Sequence, residues 1–193
     1  RGLSVTLCEK GDLAGATSSS SSKLIHGGLR YLEHYEFRLV KEALAEREVL
    51  LQKAPHIMWP LRFRLPHQKH LRPAWMIRIG LFLYDSLAKR NMLPRSKRVK
   101  TSSESPLVTD ISTCFEYSDG WVDDARLVVL NALAAKDQGA TIRTRTECIS
   151  AEKEAALWKV TLRDHEGKTF TVKAKSIVNA AGPWAVSFLD RLV

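Results

Sequence analysis

Apolar and polar positions change period several times along the chain, and each change marks an element. Residues 5–9, Val-Thr-Leu-Cys-Glu, alternate and end on an acid, which predicts a short strand. From about Tyr35 to Lys53, Phe37, Val40 and Leu44 recur at helical spacing among Glu, Lys and Arg, and Pro55 closes the run. Residues 59–65 alternate strictly from Leu61 onward, which predicts a strand with one buried face. Pro73 can open a helix over 74–87 that carries Trp75, Met76, Ile79, Leu83 and Leu87 on one side. Residues 91–110 are polar, basic and dotted with Pro and Ser, and read as a loop. Asp123 or Asp124 caps a helix through Ala135; Gln138-Gly139-Ala140 ends it, and a strand follows over 141–149. Residues 157–162 and 169–174 alternate around His165-Glu166-Gly167-Lys168, a hairpin signature. Residues 176–182 are mostly apolar and end in small side chains, as in a central buried strand.

This order of elements predicts an α/β fold with an inserted, mostly helical subdomain. The boundaries it suggests are 1–34 and 116–193 for one domain and 35–115 for the insert. The chain has no initiator Met, opens directly ahead of a strand and ends in a helix-like run without a stop signal. It therefore reads as an internal piece of a longer protein. No signal peptide is visible, and no apolar run approaches the roughly 18–20 residues of a membrane span. Cys8, Cys114 and Cys148 are far apart and odd in number, so neither a disulfide framework nor a zinc spacing is present.

Charge sharpens the picture. The net +9 is concentrated between Arg62 and Lys100, where 11 Lys/Arg face the single acid Asp85. Such a block suits anionic lipid, nucleic acid or a phosphorylated substrate; a solvated surface loop is the plainer reading.

The richest stretch is 16–33. Thr17 through Ser22 are all hydroxyl residues, followed by Lys23, then by Gly27-Gly28 and Arg30-Tyr31. Small hydroxyls and paired glycines let donors approach a ligand closely, and the cations suit an anion. A flexible linker is the alternative, against which stand the apolar Leu24-Ile25 and Leu29–Leu32. Glu9 ends its strand as the ribose-binding acid of dinucleotide folds does, but no Gly-x-Gly-x-x-Gly is present, and a structural strand-end acid is the plainer reading of the residue alone. Asn179-Ala-Ala-Gly-Pro-Trp184 allows close approach of a phosphate or ring, or simply tight packing. His26 suits a packed or hydrogen-bonded histidine better than a catalytic one. His67 and His70 lack a third metal ligand, and Asp123-Asp124 suits a helix cap better than paired catalytic acids.

Taken in order, Ser18–Glu48, Phe63–His67, Leu71–Ile77, Phe115–Asp119, Trp121–Leu127 and Val178–Trp184 resemble the FAD-dependent glycerol-3-phosphate dehydrogenases almost end to end. The resemblance implies a glutathione-reductase-like, Rossmann-type FAD fold of the amino-acid-oxidase type, truncated at both ends. It implies that Glu9 holds the adenosine ribose and that Thr17, Ser18, Ser22, Lys23, Leu24, His26 and Gly27 line the pyrophosphate, ribityl and flavin side. Backbone at Cys148 passes the adenine, and Ala181-Gly182 approach the phosphates. Arg30 and Tyr31 fall at the substrate pocket; no residue here is assigned as the catalytic base. The implied reaction oxidises sn-glycerol 3-phosphate to dihydroxyacetone phosphate by hydride transfer to FAD, with electrons passed to a membrane quinone. It further implies a peripheral protein on anionic lipid at the cytoplasmic face of a bacterial inner membrane, with no nucleic acid or metal. A homodimer stays open. Gly120 stands where many relatives carry Cys, Cys114 where Gly is common, and the 91–110 loop is the least family-like. Alone, the 193 residues are expected to bind FAD weakly and to be inactive, because the glycine turn is missing. Two other readings stay in view: a flavin amine or amino-acid oxidase of the same fold, and a basic nucleic-acid-binding module. The second fits poorly with Trp75, Met76, Ile79, Leu83 and Tyr84 at helical spacing.

Overall fold

The computed structural model describes residues 2–68, 70, 72–101 and 111–190. In chain order the strands are β1 (Thr6–Cys8), β2 (Leu24–Ile25), β3 (Met58–Pro66), β4 (Lys97–Lys100), β5 (Thr113–Val122), β6 (Thr141–Arg143), β7 (Glu147–Glu154), β8 (Leu157–Arg163) and β9 (Thr169–Ala174). The helices are α1 (Phe37–Lys53), α2 (Ala74–Ser86), α3 (Asp124–Asp137) and the short α4 (Ala185–Leu189). Three 3-10 turns lie at Thr17–Ser19, Leu29–His34 and Gly182–Trp184. Two compact units result. One runs to Ser19 and resumes at Val128; the other is Ser20–Leu127.

In the Ser20–Leu127 unit, β5 is the hub. It pairs antiparallel with β3 from Met58↔Val122 to Pro66↔Cys114. Its other edge takes β2 opposite Gly120 and Trp121 and β4 opposite Thr113 to Glu116. Cross-strand partners share a face, so the register stacks Trp59 on Trp121 at 4.1 Å and Phe63 on Tyr117 at 5.2 Å. Two apolar clusters complete the core: Leu51, Met58, Leu93 and Val122, and Val40, Leu44 and Tyr84.

Several expectations change here. Residues 97–100 are a strand within the expected loop, because Lys-Arg-Val-Lys can pair along the free half of β5 while its cations stay wet. Residues 102–110 of that loop lie outside the described residues. Helix α2 forms where expected, but the face it buries carries Leu81, Tyr84 and Asp85. Trp75, Met76, Ile79, Phe82 and Leu83 form an exposed stripe, while Leu87 packs into the core.

In the other unit, β1 and β6 pair in parallel, as a Rossmann-type sheet requires. The predicted 141–149 strand is two strands. Arg145 takes a left-handed φ of 49°, its N–H and that of Thr146 bond to Gly11 and Glu9 carbonyls, and the chain leaves β6 for the β7-β8-β9 meander. The hairpin sits where the pattern places it: Asp164 accepts the N–H groups of Glu166 and Lys168, and Gly167 supplies φ 82°. The expected strand over 176–182 is irregular backbone with Val178 87% exposed, since no described strand pairs with it. No helix among the described residues is long and apolar enough to cross a membrane.

Candidate functional site

Apolar pairing and one buried polar network shape the serine–glycine loop within the Ser20–Leu127 unit. β2 docks on β5, and Val122 N–H donates to the Lys23 carbonyl at 2.9 Å. Lys23 itself sits at φ 59°, a left-handed conformation uncommon for a long side chain. Its ammonium reaches Asp124 Oδ1 at 2.7 Å, and Ser21 donates its hydroxyl to the other carboxylate oxygen. Partial burial raises the Asp124 pKa, but the hydrogen bonds from Lys23 and Ser21 outweigh it and hold the carboxyl below its usual range. The Lys23 charge expected to meet a cofactor phosphate is therefore already matched by a carboxylate at the start of α3. The helix cap itself is Asp123, whose Oδ1 accepts the Arg126 N–H at 3.2 Å.

Gly27 and Gly28 follow, both buried. Gly27 donates its N–H to the Tyr84 hydroxyl at 2.8 Å, and a Cβ there would overlap the Leu44 side chain and the Tyr84 ring. Packing against α1 and α2 thus explains the glycine, and its N–H is engaged inside the protein. Gly28 has φ 69°, and a Cβ would strike the Tyr31 ring. The Tyr31 N–H bonds to the Gly28 carbonyl at 2.8 Å and opens the 3-10 turn. From that turn Arg30 and Tyr31 are exposed, as are His26 and Ser22 beside it, with Leu24 partly covered in β2.

Beneath the turn lies a constellation that sequence reasoning missed. Tyr84 donates its O–H to Asp119 Oδ1 at 2.7 Å, and Arg47 pairs with the same oxygen. Arg47 has no solvent exposure, and Asp119 is 4% exposed. Glu48, adjacent on α1, accepts the N–H groups of Asn91 and Met92, each at 2.9 Å. Asp85 holds Ser96 N–H and O–H and pairs with Arg90 at 2.8 Å. One signal was available. Val40, Leu44, Arg47 and Leu51 share one helical stripe, so an arginine stood at a core position.

The basic segment is partly neutralised from within. Arg62, Arg64 and Lys97 converge on Glu116, Arg72 pairs with Glu33 and Arg90 with Asp85. His67 Nε2 lies 3.1 Å from the Arg72 carbonyl. No group of three metal-ligating side chains occurs among the described residues.

In the other unit, Glu9 closes β1. Its backbone N–H bonds to the Arg143 carbonyl, and its own carbonyl takes the Thr146 N–H at 2.8 Å. That pairing brings Glu9 to the start of β7, where Cys148 sits partly buried at a β-bulge. One Glu9 carboxylate oxygen accepts the Gly11 N–H at 2.8 Å. Thr17 and Ser18 lie in a 3-10 turn, Thr17 exposed and Ser18 partly so. Ala181 bonds through its N–H to the Asn179 side chain, and Gly182 follows at φ 55° with no atom within 4 Å of where a Cβ would stand. A carboxylate for ribose hydroxyls, small hydroxyl donors and a bare left-handed glycine are a donor set that fits a dinucleotide.

A family model described as FAD dependent oxidoreductase matches residues 1–193. A glycerol-3-phosphate dehydrogenase of Pseudomonas tolaasii is 65% identical over 189 residues, covering 98% of this chain and 37% of that protein. A D-erythritol 1-phosphate dehydrogenase of Brucella abortus is 57% identical over 196 residues, covering 100% of this chain and 39% of that protein. Among solved structures, the glycerol-3-phosphate dehydrogenase from Bacillus halodurans complexed with FAD superposes with a TM-score of 0.68 at 25% identity, over 99% of this chain and 32% of that one. The chain therefore spans well under half the length of the relatives it matches.

Proposed function

The chain belongs to the FAD-dependent oxidoreductases, and we propose that it serves the oxidation of sn-glycerol 3-phosphate to dihydroxyacetone phosphate. The observation that carries this reading is the exposed Arg30-Tyr31 pair on a turn whose two glycines are packed into the core. An exposed guanidinium on a packed turn suits a phosphate or hydroxyl of a small anionic substrate, and the phenol beside it adds a second polar contact. The 65% identity to the Pseudomonas enzyme supports glycerol 3-phosphate as that substrate. FAD, when bound, supplies the hydride acceptor. In one unit Glu9 would accept from the adenosine ribose, and Thr17, Ser18 and the backbone at Ala181-Gly182 would face phosphate; in the other, Ser22 would face phosphate, and Leu24, His26 and Gly27 would border the flavin side. Lys23 acts in this scheme through its pairing with Asp124, which shapes the loop.

Electrons then pass to a membrane quinone. The exposed stripe Trp75, Met76, Ile79, Phe82 and Leu83, with Arg95, Lys97 and Arg98 nearby in sequence, supports a peripheral contact with anionic lipid. Residues 1–34 and 116–193 would form the FAD-binding domain and residues 35–115 an inserted, substrate-side subdomain. A second substrate reading has its own support: the 57% identity to the erythritol-phosphate enzyme favours a longer polyol phosphate in the same pocket.

The test is anaerobic mixing of the FAD-loaded enzyme expressed from the intact gene with glycerol 3-phosphate, D-erythritol 1-phosphate and a panel of amino acids. Fast bleaching of the flavin by glycerol 3-phosphate is expected. Bleaching by erythritol phosphate alone moves the assignment to the second reading, and bleaching by amino acids alone refutes both.

A further inference from the structure

We propose that Tyr84 is the positioning residue of the Gly27-Gly28 turn, fixing the backbone that presents Arg30 and Tyr31. The proposal rests on the reading of that pair as the substrate contact. The hydrogen-bond directions in the network are fixed by the groups themselves. Gly27 N–H can only donate and the Asp119 carboxylate can only accept, so the Tyr84 hydroxyl accepts from the first and donates to the second. Arg47 pairs with the Asp119 oxygen that takes the phenol hydrogen, and another Arg47–phenol contact spans 3.4 Å. The phenol therefore has one orientation. Burial, then the Asp119 charge and its hydrogen bond, push the Tyr84 pKa far up, so the hydrogen stays in place across any working pH.

This network is more than core filling because of where it acts. Gly27 stands outside any helix or strand, one residue before a left-handed glycine and three before Arg30. Among the described residues its side-chain tether is Tyr84, 57 residues away. Leu44 and the Tyr84 ring close one side of Gly27, so a loosened N–H bond leaves the turn only outward motion. Such motion would shift Arg30 and Tyr31 directly, whereas helices α1 and α2 would keep their own backbone bonds.

Tyr84→Phe in the FAD-loaded protein tests this, with two readouts: steady-state kinetics and hydrogen exchange of peptides covering residues 25–31. Loss of one buried hydrogen bond corresponds to about tenfold in an equilibrium. The KM for glycerol 3-phosphate should rise about tenfold, with kcat and flavin content nearly unchanged. Exchange in 25–31 should quicken by a similar factor, with α1 and α2 peptides as in the wild type. Unchanged KM with unchanged exchange overturns the proposal, and so does a parallel loss of kcat, flavin and protection throughout. If the wild type is not reduced by glycerol 3-phosphate, the functional reading has failed, and exchange confined to 25–31 still decides the positioning role. If Tyr84→Phe does not fold, the wild type decides: the Gly27 amide, bonded to the Tyr84 hydroxyl, should exchange at least about tenfold more slowly than a free amide, and exchange at the free-amide rate overturns the proposal.

Discussion

The two units of this chain bury their apolar residues to very different degrees. In Ser20–Leu127, Val40, Leu44, Leu51, Ile57, Met58, Leu81, Tyr84, Phe115 and Val122 are essentially inaccessible, and buried charges meet counter-charges. In the other unit, the buried apolar side chains among the described residues are Ala151 and Leu162, both in the meander. Its parallel pair β1/β6 leaves Leu7 40% exposed, and Leu3, Val178 and Val186 lie more than two-thirds exposed. Burying a Leu or Val side chain contributes about 1.5–3 kcal/mol, so that unit leaves much apolar stabilisation unrealised. Parallel sheets are ordinarily covered on both faces. The contrast teaches that Ser20–Leu127 carries its own packing partners, whereas β1, β6 and residues 176–182 have the composition of covered strands without the cover.

The contrast is broken most directly at Arg47. Arg47→Ala leaves Asp119 buried without its cation and should destabilise the Ser20–Leu127 unit by about 3–5 kcal/mol. Denaturant unfolding followed by the fluorescence of the stacked Trp59 and Trp121 reads it. A change below about 1 kcal/mol would mean that the network is not the keystone of that core.

Much of this architecture was legible from local pattern. Helices α1, α2 and α3, the Asp123 cap and the β8–β9 hairpin follow from periodicity and turn residues, which depend on near neighbours. What was hidden depends on distant ones. Residues 113–122 mix Glu, Ser, Asp and Gly with apolar side chains because β5 is paired along both edges and meets buried cations, so no simple alternation survives. The α2 stripe was visible, but whether a stripe faces core or solvent is not written in its period. The break between β6 and β7 rests on Arg145 adopting a left-handed φ, an uncommon choice for arginine. In the proposed site, motif alone marks the loop and the Arg30-Tyr31 pair, while Tyr84 and Asp119 escape it because their partners, the Gly27 N–H and Arg47, lie far away in sequence.

Leu162 and Val178 sharpen the comparison inside the weaker unit. Leu162, 2% exposed on β8, should cost about 2–4 kcal/mol as Leu162→Ala. Val178→Ala, at an 87% exposed position, should stay within about 0.5 kcal/mol in the 193-residue chain. A large loss at Val178 in this chain would show that residues 176–182 already have a partner there. Gly27→Ala falls between these, at about 1–3 kcal/mol in the Ser20–Leu127 unit, because the new methyl must displace Leu44 or the Tyr84 ring.

The smallest effect concerns acid. Each unit has a carboxylate clasp: Asp124 with Lys23 and Ser21, and Asp12 with Arg145 at 3.0 and 3.1 Å. The Asp12 pKa is lowered, first by the Arg145 hydrogen bond and then by its charge. In Asp124, burial pushes upward, but the bonds from Lys23 and Ser21 prevail and the pKa is likewise lowered. A carboxylate whose folded pKa is depressed contributes stability above its unfolded value, near 3.9, and loses it as pH falls through the folded value. Both clasps should therefore hold at pH 5 and open only below about 4. Salt separates them. Arg145 and Asp12 are both more than half exposed, so their pairing should fade at high ionic strength, while the more covered Lys23–Asp124 pair should persist. Carboxyl carbon-13 titration at low and high salt reads both. An Asp124 that titrates at or above the ordinary carboxylate value would mean that its burial outweighs its partners.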